Sequence, residues 1–115
     1  MSYLSELFER RTVQQNIFRQ ELHQEALRIS KLLINSGFAC KKIYLYGSII
    51  KNKPLSRWSD IDIAIEGLNE SLYFKAYACA LKNAHFPIDL KPFEELDNSL
   101  KEIIRSEGEI LYEQK

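Results

Sequence analysis

Asp60 and Asp62 open the run Asp60-Ile61-Asp62-Ile63-Ala64-Ile65, in which isoleucines alternate with other residues. The two-residue period of a strand sends Ile61, Ile63 and Ile65 to one face and Asp60, Asp62 and Ala64 to the other, which makes the two carboxylates neighbours. At that separation each opposes the other's ionisation unless a cation compensates them, and an all-oxygen pair of this type suits Mg²⁺. A half-buried strand with a wet polar face shows the same alternation, so the pair alone decides nothing.

The residues just upstream add a second element. An apolar run, Ile43-Tyr44-Leu45-Tyr46, passes directly into Gly47-Ser48 and then a loop carrying Lys51, Lys53 and Arg57. A small pair at a strand end lets backbone N–H groups approach a phosphate closely, and the hydroxyl adds a donor. Most Gly-Ser pairs are merely turns. Here, however, the pair is followed 12 residues after Ser48 by Asp-x-Asp at the head of an apolar strand.

In this order, YLYGS, a loop and SDIDIAI resemble the signature of the minimal nucleotidyltransferase family within the DNA polymerase beta superfamily. That family carries a third carboxylate on a later strand, and Ile88-Asp89-Leu90 matches it. The resemblance implies that Asp60, Asp62 and Asp89 are catalytic and hold magnesium, two ions in all, with Asp89 orienting or deprotonating the incoming hydroxyl. It also implies that Gly47, Ser48 and Lys51 bind the phosphates of ATP, with Lys53 or Arg57 compensating charge. Related proteins often read Gly-Ser-x-Ala-Arg-Gly where this chain has Gly47-Ser48-Ile49-Ile50-Lys51-Asn52. Lys51 keeps the charge of that Arg but not its bidentate fork, and Asn52 replaces a glycine that shapes the loop.

These residues need a scaffold. From Tyr3 to Ser36 there is no Pro or Gly, and Phe18, Leu22, Ala26, Ile29 and Leu33 recur at helical spacing, which predicts an amphipathic helix. The polar run RRTVQQ weakens the stripe and suggests an interruption near Arg11 to Gln15, with Leu4, Leu7 and Phe8 on a separate arm. Gly37 supplies a left-handed end, and Phe38 packs back on the last turn. Strands are expected at Lys42 to Tyr46, Ile61 to Glu66 and Pro87 to Lys91, a helix at Ser71 to Ala84, and a last helix capped by Ser99 with Glu102. The predicted class is α/β, in the sense of a two-layer α+β fold: a small mixed sheet covered by helices, the nucleotidyltransferase fold, with a long N-terminal helix. One domain, 1–115, is expected, with residues 1–37 a helical arm and 38–115 the catalytic core.

Sixteen basic and sixteen acidic side chains give zero net charge, which argues against nucleic acid as a partner. The zero conceals opposed blocks: residues 1–37, 38–59 and 60–115 carry net charges of +1, +5 and −6. A positive segment thus abuts a negative one at Asp60, an arrangement suited to a polyphosphate with a divalent cation. The N-terminus is charged by Glu6, and no window is apolar enough to span a membrane, so a soluble, cytoplasmic protein is expected. Cys40 and Cys79 form no paired motif and are read as reduced, buried hydrophobes.

Other side chains are read as structural. His23 and His85 are expected to be solvated or satisfied locally, Trp58 to pack rather than to stack on a base, and Tyr44 and Tyr46 to fill the sheet. The acids from Glu94 to Glu113 are expected on a solvated helix face.

The resemblance implies Mg²⁺-dependent transfer of AMP from ATP to a hydroxyl. Since the chain is short, a protein acceptor in trans is expected, and small members of this family resemble antitoxins that modify a helical HEPN-domain partner. The N-terminal helix is a candidate docking element, and a homo-oligomer is left open. The alternative is a catalytically weak or inactive nucleotide-binding module that neutralises its partner by stoichiometric complex formation.

Overall fold

A computed structural model describes residues 2–51, 53–56 and 58–115 of the chain. Asn52 and Arg57, which the sequence reading assigned to the loop path and to charge compensation, lie outside the described residues.

Helix α1 runs without a break from Tyr3 to Asn35. Ser2 caps it, its hydroxyl accepting from the Ser5 N–H at 3.2 Å. The expected interruption near Arg11 to Gln15 does not occur, because polar residues thin the apolar stripe without removing any helix hydrogen bond. Gly37, at φ +95°, ends the helix, and the Phe38 N–H returns to the Leu33 carbonyl at 3.1 Å. Leu22, Ala26, Ile29 and Leu33 are fully buried on the sheet, each large side chain contributing about 1.5–3 kcal/mol.

Four strands follow: β1 (Lys42–Tyr46), β2 (Ile61–Glu66), β3 (Ile88–Pro92) and β4 (Glu109–Glu113). Their spatial order is β3-β2-β1-β4, with β1 antiparallel to both neighbours and β2 parallel to β3. Helix α2 (Tyr73–Asn83) makes the crossover that a parallel pair requires. Its first predicted residues instead form a short tight turn, Glu70–Leu72. Helix α3 (Asn98–Glu107) is capped by Asp97, whose carboxylate accepts from the Leu100 N–H at 2.8 Å. The expected cap, Ser99, lies inside the helix instead. Strand β4 lies in the segment whose acids were expected on a helix face; none of its residues is fully buried, which weakens the apolar signal, and its pairing with β1 is what orders it.

The sheet separates two layers. Ile43, Leu45, Ile61, Ile63, Ile65, Ile88 and Leu90 face α1 and α2. On the other side Tyr44, Tyr46 and Ala64 meet Phe93 and Ile104 beneath α3. Tyr44 stacks on Phe93 with centroids 5.2 Å apart, and the Arg105 guanidinium lies 5.0 Å over that ring. The two-layer α+β fold with a long N-terminal helix is therefore present. No helix among the described residues is long and apolar enough to cross a membrane.

Candidate active site

Parallel pairing places Asp62 directly beside Asp89, and antiparallel pairing places Tyr46 directly beside Asp62 on its other side. Tyr46, Asp62 and Asp89 therefore form one row across β1, β2 and β3, on the α3 side of the sheet. Side chains opposed in this way lie close enough to interact. Asp60 precedes β2 and is exposed, while Asp62 and Asp89 are half-buried. The polar face of β2 is not a wet surface throughout: Ala64, one step along, is fully buried.

Burial, followed by the charges of Asp89 and Asp60, pushes the Asp62 carboxyl up to about 6, against the pull of Lys91 and Lys51. Burial, with Asp62 and Asp89 adding to it, pushes the Tyr46 hydroxyl up to about 12, which keeps it neutral. Lys91 Nζ stands 3.5 Å from Asp89 Oδ2 and offsets part of the negative charge.

Strand β1 ends at Gly47, which turns at φ +80° into a short turn through Ile49. A Cβ at residue 47 would run into the Asp62 carboxylate, with Cγ only 3.0 Å away. Glycine thus serves two needs here, a left-handed turn and close approach to an acid. Ser48 follows half-buried, and the Lys51 N–H closes the turn on the Gly47 carbonyl at 3.1 Å. Lys51 is exposed, yet its charge reaches Asp62.

Among the described residues no three or more His, Cys, Asp or Glu side chains cluster tightly enough to form a metal cage by themselves. Magnesium in phosphoryl chemistry takes one or two protein carboxylates and fills its shell with water and substrate phosphate. Asp62 and Asp89 in register, with Asp60 at the exposed head of β2, make an all-oxygen donor set that fits this use. The raised Asp62 pKa reflects burial first, and then the neighbouring charges of Asp89 and Asp60.

Two residues that sequence reading passed over hold the loop. Arg19 donates to the carbonyls of Ile49, Lys51 and Lys53, the latter two at 3.2 Å. Gln15 donates to the Leu55 carbonyl at 2.8 Å and accepts from the Leu55 N–H at 2.5 Å. The available signal was Gln15 itself, a polar residue two helical turns before Leu22 and so in line with the buried stripe. A cavity of about 790 Å³ lies behind this loop between α1 and β4, lined by Arg19, His23, Ile49 and Glu109 among others. None of the three aspartates lines it.

The remaining candidates fall elsewhere. His23 pairs with Glu109 at 2.7 Å. The His85 N–H donates to Glu25, and its ring stands 3.9 Å from the same carboxylate. Trp58 is 77% exposed, contrary to the packing expected of it. Cys40 is buried but Cys79 only partly so. Several acids of the 94–113 segment are engaged rather than merely solvated: Glu94 accepts from the Gly67 N–H and the Tyr73 hydroxyl, and Glu113 pairs with Lys42.

The fold has solved counterparts. One is a chain of a toxin-antitoxin crystallised with AMP-PNP, at TM-score 0.57 and 22% identity over 77% of this chain and 74% of that one. Another belongs to a mutant of the toxin-antitoxin MntA-HpeT, at TM-score 0.56 and 24% identity over 78% and 74%. No curated protein matches the chain. The family model described as "Polymerase beta, Nucleotidyltransferase" matches residues 28–115, which span the Gly47-Ser48 turn and all three aspartates. By that match over most of its length, the chain belongs to the polymerase beta nucleotidyltransferase family.

Proposed function

We propose that this chain transfers AMP from ATP to a hydroxyl of a partner protein, as the antitoxin of a HEPN/MNT toxin-antitoxin pair in the cytoplasm. The observation that carries the reading is the packing of Gly47 against Asp62, with Asp89 in register beside it. That contact brings a phosphate-binding turn and a carboxylate pair to one sheet end. The likeness to chains from toxin-antitoxin complexes, one of them crystallised with AMP-PNP, supports both the nucleotide and the kind of partner.

Asp60, Asp62 and Asp89 would hold magnesium, which when bound neutralises phosphate charge and orients the nucleotide for in-line attack. Gly47 and Ser48 bind the outer phosphates, and Lys51 adds a positive charge without a fixed fork. Asp89 accepts the acceptor's proton as its oxygen bonds to the α-phosphorus and pyrophosphate departs. Functionally, residues 38–115 form the catalytic core and 1–37 the helical arm, although the second half of α1 is also a wall of that core.

Incubating the chain with its helical partner, Mg²⁺ and labelled ATP tests this, and the intact mass of the partner reports both acceptor and added nucleotide. Tight binding without transfer of label would refute the enzyme and leave a stoichiometric binding module. The departure at Lys51 and Asn52 from the usual Arg-Gly favours that second reading.

A further inference from the structure

The loop from Ile49 to Leu55 is attached to α1 at every second residue. Arg19 takes the carbonyls of 49, 51 and 53, and Gln15 takes both backbone groups of 55. The chain here is turned rather than extended: Ile49 ends the short turn from Gly47, Ile50 is helical at φ −88°, and the Lys53 N–H returns to the Lys51 carbonyl at 2.7 Å, yet the three carbonyls converge on one guanidinium. Gln15 and Arg19, four residues apart, occupy one helix face and serve as a single row of partners. Ile49 and Leu55 are buried at the two ends of the loop, while Lys51 and Lys53 between them are exposed. Apolar burial thus fixes the ends, and the polar row fixes the middle.

We propose that Gln15 and Arg19 are positioning residues, which strap this loop to α1 and thereby set where Lys51 stands relative to Asp62 and Asp89. The proposal rests on the nucleotide-transfer reading for its functional half and on the hydrogen bonds alone for its structural half. A guanidinium supplies several donors in a rigid plane, which is what three converging carbonyls require. A lysine delivers the charge but cannot serve all three in fixed directions. Neither residue touches the carboxylates, so their effect passes through the loop backbone.

The test uses the full chain and the variants Arg19→Ala, Arg19→Lys and Gln15→Ala. Amide hydrogen exchange over residues 48–56 is compared with that over 61–66, and the dissociation constant for Mg·AMP-PNP is measured in parallel. Arg19→Ala is expected to speed exchange in the loop by about tenfold or more while 61–66 stays protected, and to weaken Mg·AMP-PNP binding by a similar factor. Arg19→Lys should recover part of both losses, and Gln15→Ala should act mainly near Leu55. Wild-type exchange in the loop of all three variants overturns the strap. A loosened loop with unchanged nucleotide affinity overturns the positioning role. Should the unaltered chain bind no Mg·AMP-PNP while the loop still loosens in the variants, the strap stands and the nucleotidyltransfer reading fails instead.

Discussion

The Asp62 carboxylate occupies the space that a Cβ on residue 47 would need. Gly47→Ala would therefore strain the left-handed turn and displace Asp62 together, at a cost of about 1–3 kcal/mol. Urea unfolding measures that cost, and nucleotide binding should be lost with it. Combined with Asp62→Ala, part of the destabilisation should disappear, because the carboxylate that clashes has been removed. Strictly additive effects would show that φ strain alone is responsible.

Asp62 also sets a pH dependence. Its carboxyl is pushed by burial, Asp89 and Asp60 from the ordinary 3.8 up to about 6. Between those values the folded state binds more protons than the unfolded chain, so stability falls as pH rises across the window and stays reduced above it. Asp62→Asn should then stabilise the fold at pH 8 by about 1 kcal/mol, allowing for partial solvent screening, while abolishing transfer. Urea titrations of both proteins at pH 4 and pH 8 check the sign: the difference should be near zero at the lower value. Equal differences at both would dissociate the effect from ionisation.

Glu25 should behave oppositely. Its carboxylate is buried on α1, yet Arg28 Nε donates to it at 2.7 Å and the His85 N–H at 2.5 Å. Burial opposes its charge, but these hydrogen bonds and the Arg28 charge prevail and hold its pKa below the ordinary 4.5. The stability it contributes is complete above that value and fades as pH falls below it. Glu25→Gln should cost about 1–3 kcal/mol at pH 7 and much less in acid, as read from thermal unfolding across pH.

The overhanging start of α1 should be dispensable for folding. Tyr3, Leu4 and Phe8 are each more than 70% exposed, and the core stripe begins only near Phe18. Deleting residues 2–13 should change unfolding free energy by no more than about 0.5 kcal/mol, as surface changes generally do. If that overhang docks the partner, co-purification should fail while the circular dichroism melt is retained.

How much of this was legible in the sequence depended on whether neighbours in the chain or neighbours in space carry the information. β1 and β2 could be read to the residue because alternation and the flanking Gly47 and Gly67 are local signals. The Asp62–Asp89 juxtaposition was legible only through the family resemblance, since parallel register is set by α2 and the sheet. β4 was missed because an edge strand with no fully buried residue offers little hydrophobic pattern. Trp58 was misjudged because an aromatic side chain suggests burial by type, while the residue that its loop buries in the core is Leu55. Gln15 was read only as part of a polar run that weakens an apolar stripe, and Arg19 was passed over; their partners are backbone groups 30 to 40 residues away, which no helical periodicity reports.

Strand β1 takes its two neighbours from very different distances along the chain: Tyr46 meets Asp62, 16 residues on, whereas Lys42 meets Glu113, 71 residues on. Loop closure is then costlier on the β4 side by about 1 kcal/mol. The β1–β2 side, with the Gly47 turn, should consolidate early in folding and the β4 side late. In kinetic terms, a destabilising change at Tyr112 would chiefly accelerate unfolding, whereas one at Ile63 would chiefly slow folding, which stopped-flow chevrons can distinguish.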